Sequence, residues 1–256
     1  RVVPVVEALA KKGVAVSVDT SKAAVARAAL SAGAEMINDV SALSDDGMAQ
    51  VCAESGAAVV LMHMRGTPAA MQQDTSYKDL LDTVFLYLSA RIEYAENSGI
   101  SRDKIVIDPG IGFGKSVDGN LSLIKTLSEF RTLGRPVLAG VSRKSFIGRG
   151  AGGGLSERLP GSIAAGVAAV LNGAQMLRVH DVKEAVMACA IADALKAGQP
   201  HVHEGDEALP PGKDAPVHFI EPHGGGVAQV SPGSLELRRA DIAAANLPGL
   251  GKGDLE

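Results

Sequence analysis

Asp19 and Asp108 each close a run of β-branched residues, in VSVDTSK and KIVIDPG. A carboxylate at a strand end can accept hydrogen bonds from a molecule lying beyond the sheet. Asn38 ends a third such run, EMINDV, and Ser142, Arg143 and Lys144 follow a fourth, PVLAGVSRKS. LRVHD sets Arg178 and His180 two residues apart, on one side of a strand, where a guanidinium and an imidazole form a good anion pair. Two carboxylates and an amide suit a flat heterocycle with mixed donors and acceptors. Asn38 and Asp39 are adjacent, so strand alternation turns one of them inward and the other out. His63, in LMHMRGTP, reads equally well as a core histidine with one hydrogen bond. The competing role for each strand-end aspartate is to cap the following helix. Ser21 is available to cap after Asp19, and Asp108 precedes a Pro-Gly turn instead of a helix.

The stretch KIVIDPGIGFGKS imitates two phosphate-binding patterns. A P-loop ending at Gly114-Lys115-Ser116 needs glycine at 109, which is Pro109; a dinucleotide fingerprint from Gly110 and Gly112 needs glycine at 115, which is Lys115. Both spacings fail by one residue. What remains is Asp108 followed by glycines that let backbone approach another group closely.

These residues recur at one place in a repeating unit. Strands are expected at 14–19, 35–40, 57–64, 104–108, 136–142 and 175–180. Helices are expected at 2–12, 22–32, 46–55, 77–97, 118–133, 157–172 and 182–197. A glycine stands just past each helix, from Gly13 to Gly198, where a left-handed residue ends a helix. The strands are continuous apolar runs, which argues for a parallel sheet covered by helices. A doubly wound sheet and a (βα)8 barrel both satisfy that pattern. Polar groups at six strand ends favour the barrel, because there all the ends converge on one mouth. Six strands fall two short of eight, and the chain opens on a helix. The expectation is an α/β (βα)8 TIM barrel, N-terminally truncated to about six βα units.

The chain of 256 residues is 46% hydrophobic but only 3% aromatic, which suits close helix-on-sheet packing. Cys52 and Cys189 fall in helical stretches and read as buried small side chains, not a disulfide. No apolar run approaches the ~20 residues of a membrane span. Residues 1–198 carry 21 Lys and Arg against 20 Asp and Glu, so a nucleic-acid surface is not expected. Residues 199–256 carry 4 against 9 and hold seven of the twelve prolines. They are expected to form an acidic, irregular, mobile extension beside a barrel domain at 1–198. Within it, PVHFIE and GVAQV have the makings of a weak hairpin. Its histidines, His201, His203, His218 and His223, lack compact metal-ligand spacing.

VSVDTSK, INDVSAL, MHMRGTPAAMQ, IDPGIGFGKS, GVSRKSFIG and RVHDV occur in the order found in the dihydropteroate synthases, which the chain resembles over residues 1–198. The resemblance implies a TIM barrel that joins 6-hydroxymethyl-7,8-dihydropterin pyrophosphate to para-aminobenzoate in folate biosynthesis, releasing pyrophosphate. It is also the sulfonamide target. By this resemblance Asp19, Asn38 and Asp108 hold the pterin edge, and Lys144 donates to the pterin and frames the aminobenzoate site. Met62 and Phe113 line the ring pocket, and Gly112 permits close approach. Arg178 stacks on the pterin and, with His180, holds the pyrophosphate. Ser142 and Arg143 border the aminobenzoate site. Lys144, Arg178 and His180 are the candidate catalytic residues.

The resemblance also implies Mg²⁺, a cytoplasmic homodimer, and no nucleic-acid or membrane partner. The family's Asn-x-Thr-Pro-Asp-Ser-Phe and Gly-Glu-Ser-Thr-Arg-Pro loops do not occur in these 256 residues. The first supplies the asparagine tied to Mg²⁺, so no metal ligand is assigned here. The expected consequence is weak or no activity in this chain alone. Alternative readings are a pterin-dependent methyltransferase, against which SRKSFIG argues, and a non-catalytic pterin-binding protein.

Overall fold

The computed structural model describes residues 2–67, 70–152, 154 and 157–197, together with the backbone of 217–220 and 227–230. Eight strands form one sheet: β1 Ala15–Asp19, β2 Met36–Asp39, β3 Ala58–Met62, β4 Ile105–Asp108, β5 Leu138–Ala139, β6 Met176–Val179, β7 Val217–Ile220 and β8 Val227–Val230. Their order is β4-β3-β2-β1-β8-β7-β6-β5. β1 to β4 pair in parallel, as do β5, β6 and β7, while β8 runs antiparallel to both β7 and β1. The two end strands meet at a parallel bridge, Ile107 to Val137, where the Ile107 N–H donates to Pro136 O at 2.9 Å. The sheet thus curls round until its ends touch, as a barrel requires.

Helices α1 Val2–Ala10, α2 Ala23–Ser31, α3 Met48–Ser55, α4 Leu80–Asn97, α5 Val117–Lys125, α6 Leu127–Phe130, α7 Ser145–Ala151, α8 Leu159–Leu171 and α9 Val182–Ala197 cover the outside. Strand alternation divides the core. Ala15, Met36, Ala58, Val60, Val106, Leu138 and Met176 form a small cluster inside the barrel. Val16, Val18, Ile37, Val59, Leu61, Ile105, Ile107, Val137 and Leu177 face the other way, into a larger layer shared with the helices. Two residues on from the interior cluster, on the same side of each strand, come Asn38, Met62, Asp108, Gly140 and Arg178. The alternation that packs the barrel floor therefore also aims the polar strand ends into the mouth.

The six expected strands are present, four of them within two residues of the expected length, while β3 is cut to five residues and β5 to two. α7 forms at Ser145–Ala151 although Gly148 and Gly150 lie within it. The 118–133 helix is instead α5 and α6 followed by a 3-10 turn at Arg131–Leu133. Ser21 does not cap α2; Asp45 Oδ2 accepts from the Ala23 N–H at 3.1 Å instead. Six of the seven expected helix-ending glycines have positive φ, and Gly198 lies outside the described residues.

The expected hairpin of PVHFIE and GVAQV is present as strands at 217–220 and 227–230, paired antiparallel. β7 pairs with β6 and β8 with β1, and the two meet through Ile220 and Gln229. Without them β1 and β6 would each present an edge of unpaired N–H and C=O groups, and supplying that pairing is the physical reason for the hairpin. His201, His203 and His223 lie outside the described residues. Among the described residues, no helix is long and apolar enough to cross a membrane. Cys52 and Cys189 are buried free thiols, pushed up to about 12 and about 11 by burial.

Candidate active site

The strand ends gather round one cleft. Asn38, Met62, Asp108, Phe113, Gly140, Ser142, Lys144, Arg178, Val179 and His180 line it. Asp19 joins the wall through its partners: Asn38 Nδ2 donates to Asp19 Oδ1 at 2.6 Å, and Arg178 pairs with Asp19 Oδ2. β1 and β2 set Asp19 directly beside Asn38 in register, and β3 and β4 set Met62 beside Asp108.

Of the adjacent pair, Asn38 turns into the mouth and Asp39 turns away. Asp39 accepts from the Ser41 N–H at 2.9 Å and the Leu43 N–H at 2.7 Å, holding a loop in which Ala42 and Leu43 have positive φ. Asn38 is committed on one side only. Its Nδ2 faces the Asp19 carboxylate, and its buried Oδ1 has no hydrogen-bond partner among the described residues. A buried acceptor without a donor costs about 1–3 kcal/mol, so this oxygen is set up for an incoming N–H.

Asp108 is 5% exposed, and one carboxylate oxygen accepts the Gly110 N–H at 2.7 Å. Burial raises its pKa above the ordinary carboxylate range, while Lys144, Lys115 and Arg178 pull the other way. Its charge is thus poorly solvated and surrounded by cations. Lys144 reaches across from the end of β5, donates to Ile111 O, and sits 4.4 Å from the centre of the Phe113 ring. Gly112, with φ +86, permits this crossing, since a Cβ there would lie 2.5 Å from Lys144 Cδ.

His180 is fixed by Ser142: the His180 N–H donates to Ser142 Oγ at 3.2 Å, and ring Nδ1 lies 3.0 Å from the same oxygen. Arg143 is displaced from the expected border of the cleft. Its guanidinium pairs with Asp181, with Nε 3.0 Å from Oδ2. Its backbone, at φ +55, is held by Ser162 Oγ at 2.8 Å and by Arg158 at 2.9 Å. The structure thus uses Arg143 to lock the loop between Ser142 and Lys144.

His63 is buried and is not among the residues lining the cleft. It is 4% exposed, packs edge-on against Tyr87 with ring centres 5.0 Å apart, and lies 3.0 Å through Nδ1 from Lys115 Nζ. Burial and then the Lys115 charge lower its pKa to about 3, so it is neutral at physiological pH. Sequence reasoning missed Lys115 and Asn120 as supports of the glycine turn. Asn120 Oδ1 accepts the Gly112 N–H at 2.5 Å. A buried lysine has no composition signal, but the Gly114-Lys115 pair that failed the P-loop test was a place to look.

The fold and this cleft define a (βα) barrel whose mouth gathers carboxylates, an amide and cationic groups at its strand ends. The family model for pterin binding enzymes matches residues 1–180, and the chain belongs to that family. It is an enzyme of the transferase class, of the dihydropteroate synthase type. The dihydropteroate synthase of Escherichia coli K12 is 46% identical over 195 residues, covering 76% of this chain and 69% of that protein. The Yersinia pestis enzyme, solved in a sulfonamide complex, superposes with a TM-score of 0.76 at 44% identity, covering 78% of this chain and 73% of that one. The Thermus thermophilus enzyme in complex with 6HMPPP gives 0.72 at 42% identity, covering 75% and 77%.

Proposed function

We propose that the cleft binds 6-hydroxymethyl-7,8-dihydropterin pyrophosphate and condenses it with para-aminobenzoate, giving 7,8-dihydropteroate and pyrophosphate. The observation that carries this reading is the unsatisfied Asn38 Oδ1, set between the carboxylates of Asp19 and Asp108. Together they offer acceptors to the N–H groups of an amino-pyrimidinone edge. Met62 and Phe113 supply apolar contact for the ring faces, and Lys144 lies against the Phe113 ring where it can donate to the heterocycle.

As the carbon–oxygen bond to pyrophosphate breaks, negative charge grows on the leaving oxygen and positive charge on the methylene carbon. Arg178 and His180 are fixed donors for the departing anion, and donors already in place need no reorganisation as the charge develops. The aniline nitrogen of aminobenzoate is neutral near pH 7 and attacks the methylene, then loses a proton. Orientation dominates that step, and no side chain is assigned as general base. Ser142 fixes His180, and the Arg143–Asp181 pair fixes the turn carrying Lys144, so both act by positioning.

Mg²⁺ is the ion the resemblance brings. Among the described residues there is no group of three His, Cys, Asp or Glu side chains fit to hold a metal. Mg²⁺ usually keeps several waters and binds through few protein oxygens together with substrate phosphates, so here it would be held chiefly by the pyrophosphate of the substrate, and no step is routed through it. The exposed apolar residues of α9, Met187, Ile191 and Leu195, together with Leu171 of α8, support a homodimer through those helices. A cytoplasmic site accords with a soluble folate-pathway substrate.

The test is dihydropteroate formation from the two substrates, by this chain and by the chain extended with the family's two N-terminal βα units. The extended form is expected to turn over and the 256-residue form to be slow. Pterin binding by the extended form with no turnover would favour a non-catalytic binding role. Equal, full activity in both forms would refute the need for the two loops.

A further inference from the structure

Lys115 is 3% exposed and lies behind the glycine turn, on the side away from the cleft's lining. Its Nζ donates to Phe113 O at 2.8 Å and Gly110 O at 2.9 Å, lies 3.0 Å from His63 Nδ1, and has His63 O as a longer contact at 3.4 Å. As an ammonium its three donors serve the three nearer acceptors. As a neutral amine it keeps two donors for the two nearer carbonyls and can accept from a protonated His63 Nδ1, so these three contacts persist in either state. The charged groups acting on it are Asp108, which favours its charge, and Lys144, which opposes it.

Other groups hold the rest of the turn. Tyr77 donates to Gly114 O at 2.9 Å, Gln72 to Gly112 O at 3.0 Å, and the Gly112 N–H is taken by Asn120. Lys115 ties both ends of the 110–113 turn to the strand end at His63, across from β4 to β3. The turn it ties carries the Gly110 N–H on Asp108, the Phe113 ring, and the gap at Gly112 through which Lys144 passes.

We infer that Lys115 is a positioning residue for pterin recognition, a buried clamp that holds the 110–113 turn in its ligand-ready shape. This rests on the pterin reading of the cleft. Preorganisation of this kind lowers the ordering cost of binding and is paid in the empty protein.

The test takes the full chain with Lys115→Met, which keeps the stem and deletes the donors, and Lys115→Arg, which keeps charge and donors in a larger head. Amide exchange is measured without ligand, and affinity for 6-hydroxymethyl-7,8-dihydropterin pyrophosphate by calorimetry. Lys115→Met is expected to speed exchange at 110–114 selectively and to weaken pterin binding about 30-fold, because the unheld turn must then be ordered at the moment of binding. Lys115→Arg is expected to fall between parent and Lys115→Met in both readouts, and it decides by the same criteria if Lys115→Met does not fold. Unchanged exchange at 110–114, or acceleration spread evenly over the barrel, overturns the clamp. Selective loosening with pterin affinity within about threefold of the parent overturns the positioning role. A parent chain that binds no pterin overturns the reading of the cleft and the positioning role with it, while the exchange arm still reports the clamp.

Discussion

Replacing Asp108 by asparagine should separate binding from stability. The carboxylate is buried, accepts one backbone N–H, and has its pKa raised because desolvation outweighs the neighbouring cations. In the empty protein the ionised group is therefore held against its preference. Because its folded pKa lies above the unfolded value, its contribution to stability falls as pH rises through that window. Asparagine has nearly the same shape, keeps an oxygen for the Gly110 N–H, and carries no charge to desolvate. The opposing loss is a counter-charge for Lys144, Lys115 and Arg178, so the melting temperature should stay within a few degrees of the parent, where ~1 kcal/mol moves a protein of this size by about 2–4 °C.

Binding should respond differently. An ionised acceptor contributes about 1.5–3 kcal/mol per hydrogen bond to a buried partner, and the amide additionally presents N–H groups toward ligand N–H groups. The expected loss in pterin affinity is about 100-fold or more, near 3 kcal/mol. Calorimetric titration with dihydropterin pyrophosphate and a thermal melt on the same sample give both quantities. A variant that melts much earlier yet binds pterin as the parent does would refute the reasoning, because Asp108 would then be a structural capping group.

Three further outcomes follow from individual contacts. Gly110→Ala places a Cβ 1.8 Å from the His63 carbonyl oxygen at a residue with φ +71, and should destabilise the chain by about 2–4 kcal/mol in denaturant unfolding. Arg178→Met should weaken the pyrophosphorylated pterin by about tenfold or more relative to 6-hydroxymethylpterin, since the anionic arm loses a charged donor; equal losses for both ligands would remove the arm from Arg178. His63 has a folded pKa near 3, well below its ordinary value of 6.5, so the unfolded chain binds more protons between those limits. Stability from this group should fall as pH drops through that window, by up to about 1.4 kcal/mol per pH unit, partly offset by Asp108, and His63→Phe should flatten the acid limb of the stability curve.

Much of this molecule was legible because one rule, strand alternation, serves both packing and function. Asp19, Asn38, Asp108 and Arg178 have the parity of the interior cluster on their strands, so reading them as sharing a mouth required only the strand boundaries and a barrel, whereas His63 on β3 has the opposite parity and turns away. The Arg143 ion pair was not legible because a side chain at a strand end has no fixed direction once the chain turns; its partner, Asp181, is 38 residues away. The role of Lys115 was hidden for the same reason, since its acceptors are carbonyls whose orientation depends on the turn, and only the failed P-loop match pointed at it. Helix α7 was hidden by Gly148 and Gly150, whose low helix propensity is overridden by packing of Phe146 and Ile147. The pairing of β7 and β8 with the barrel edges depends on unsatisfied edges at β1 and β6, which no local pattern in 217–230 reveals.

The central claim is that six strand ends build one pterin pocket. Titrating the folded chain with 6-hydroxymethyl-7,8-dihydropterin pyrophosphate tests it most directly, with heat measured at a single temperature and pH. The account predicts saturable binding of one molecule per chain, abolished together by Asp108→Asn and Asn38→Leu. A folded chain that shows no saturable heat, or binding that survives both substitutions, would contradict it.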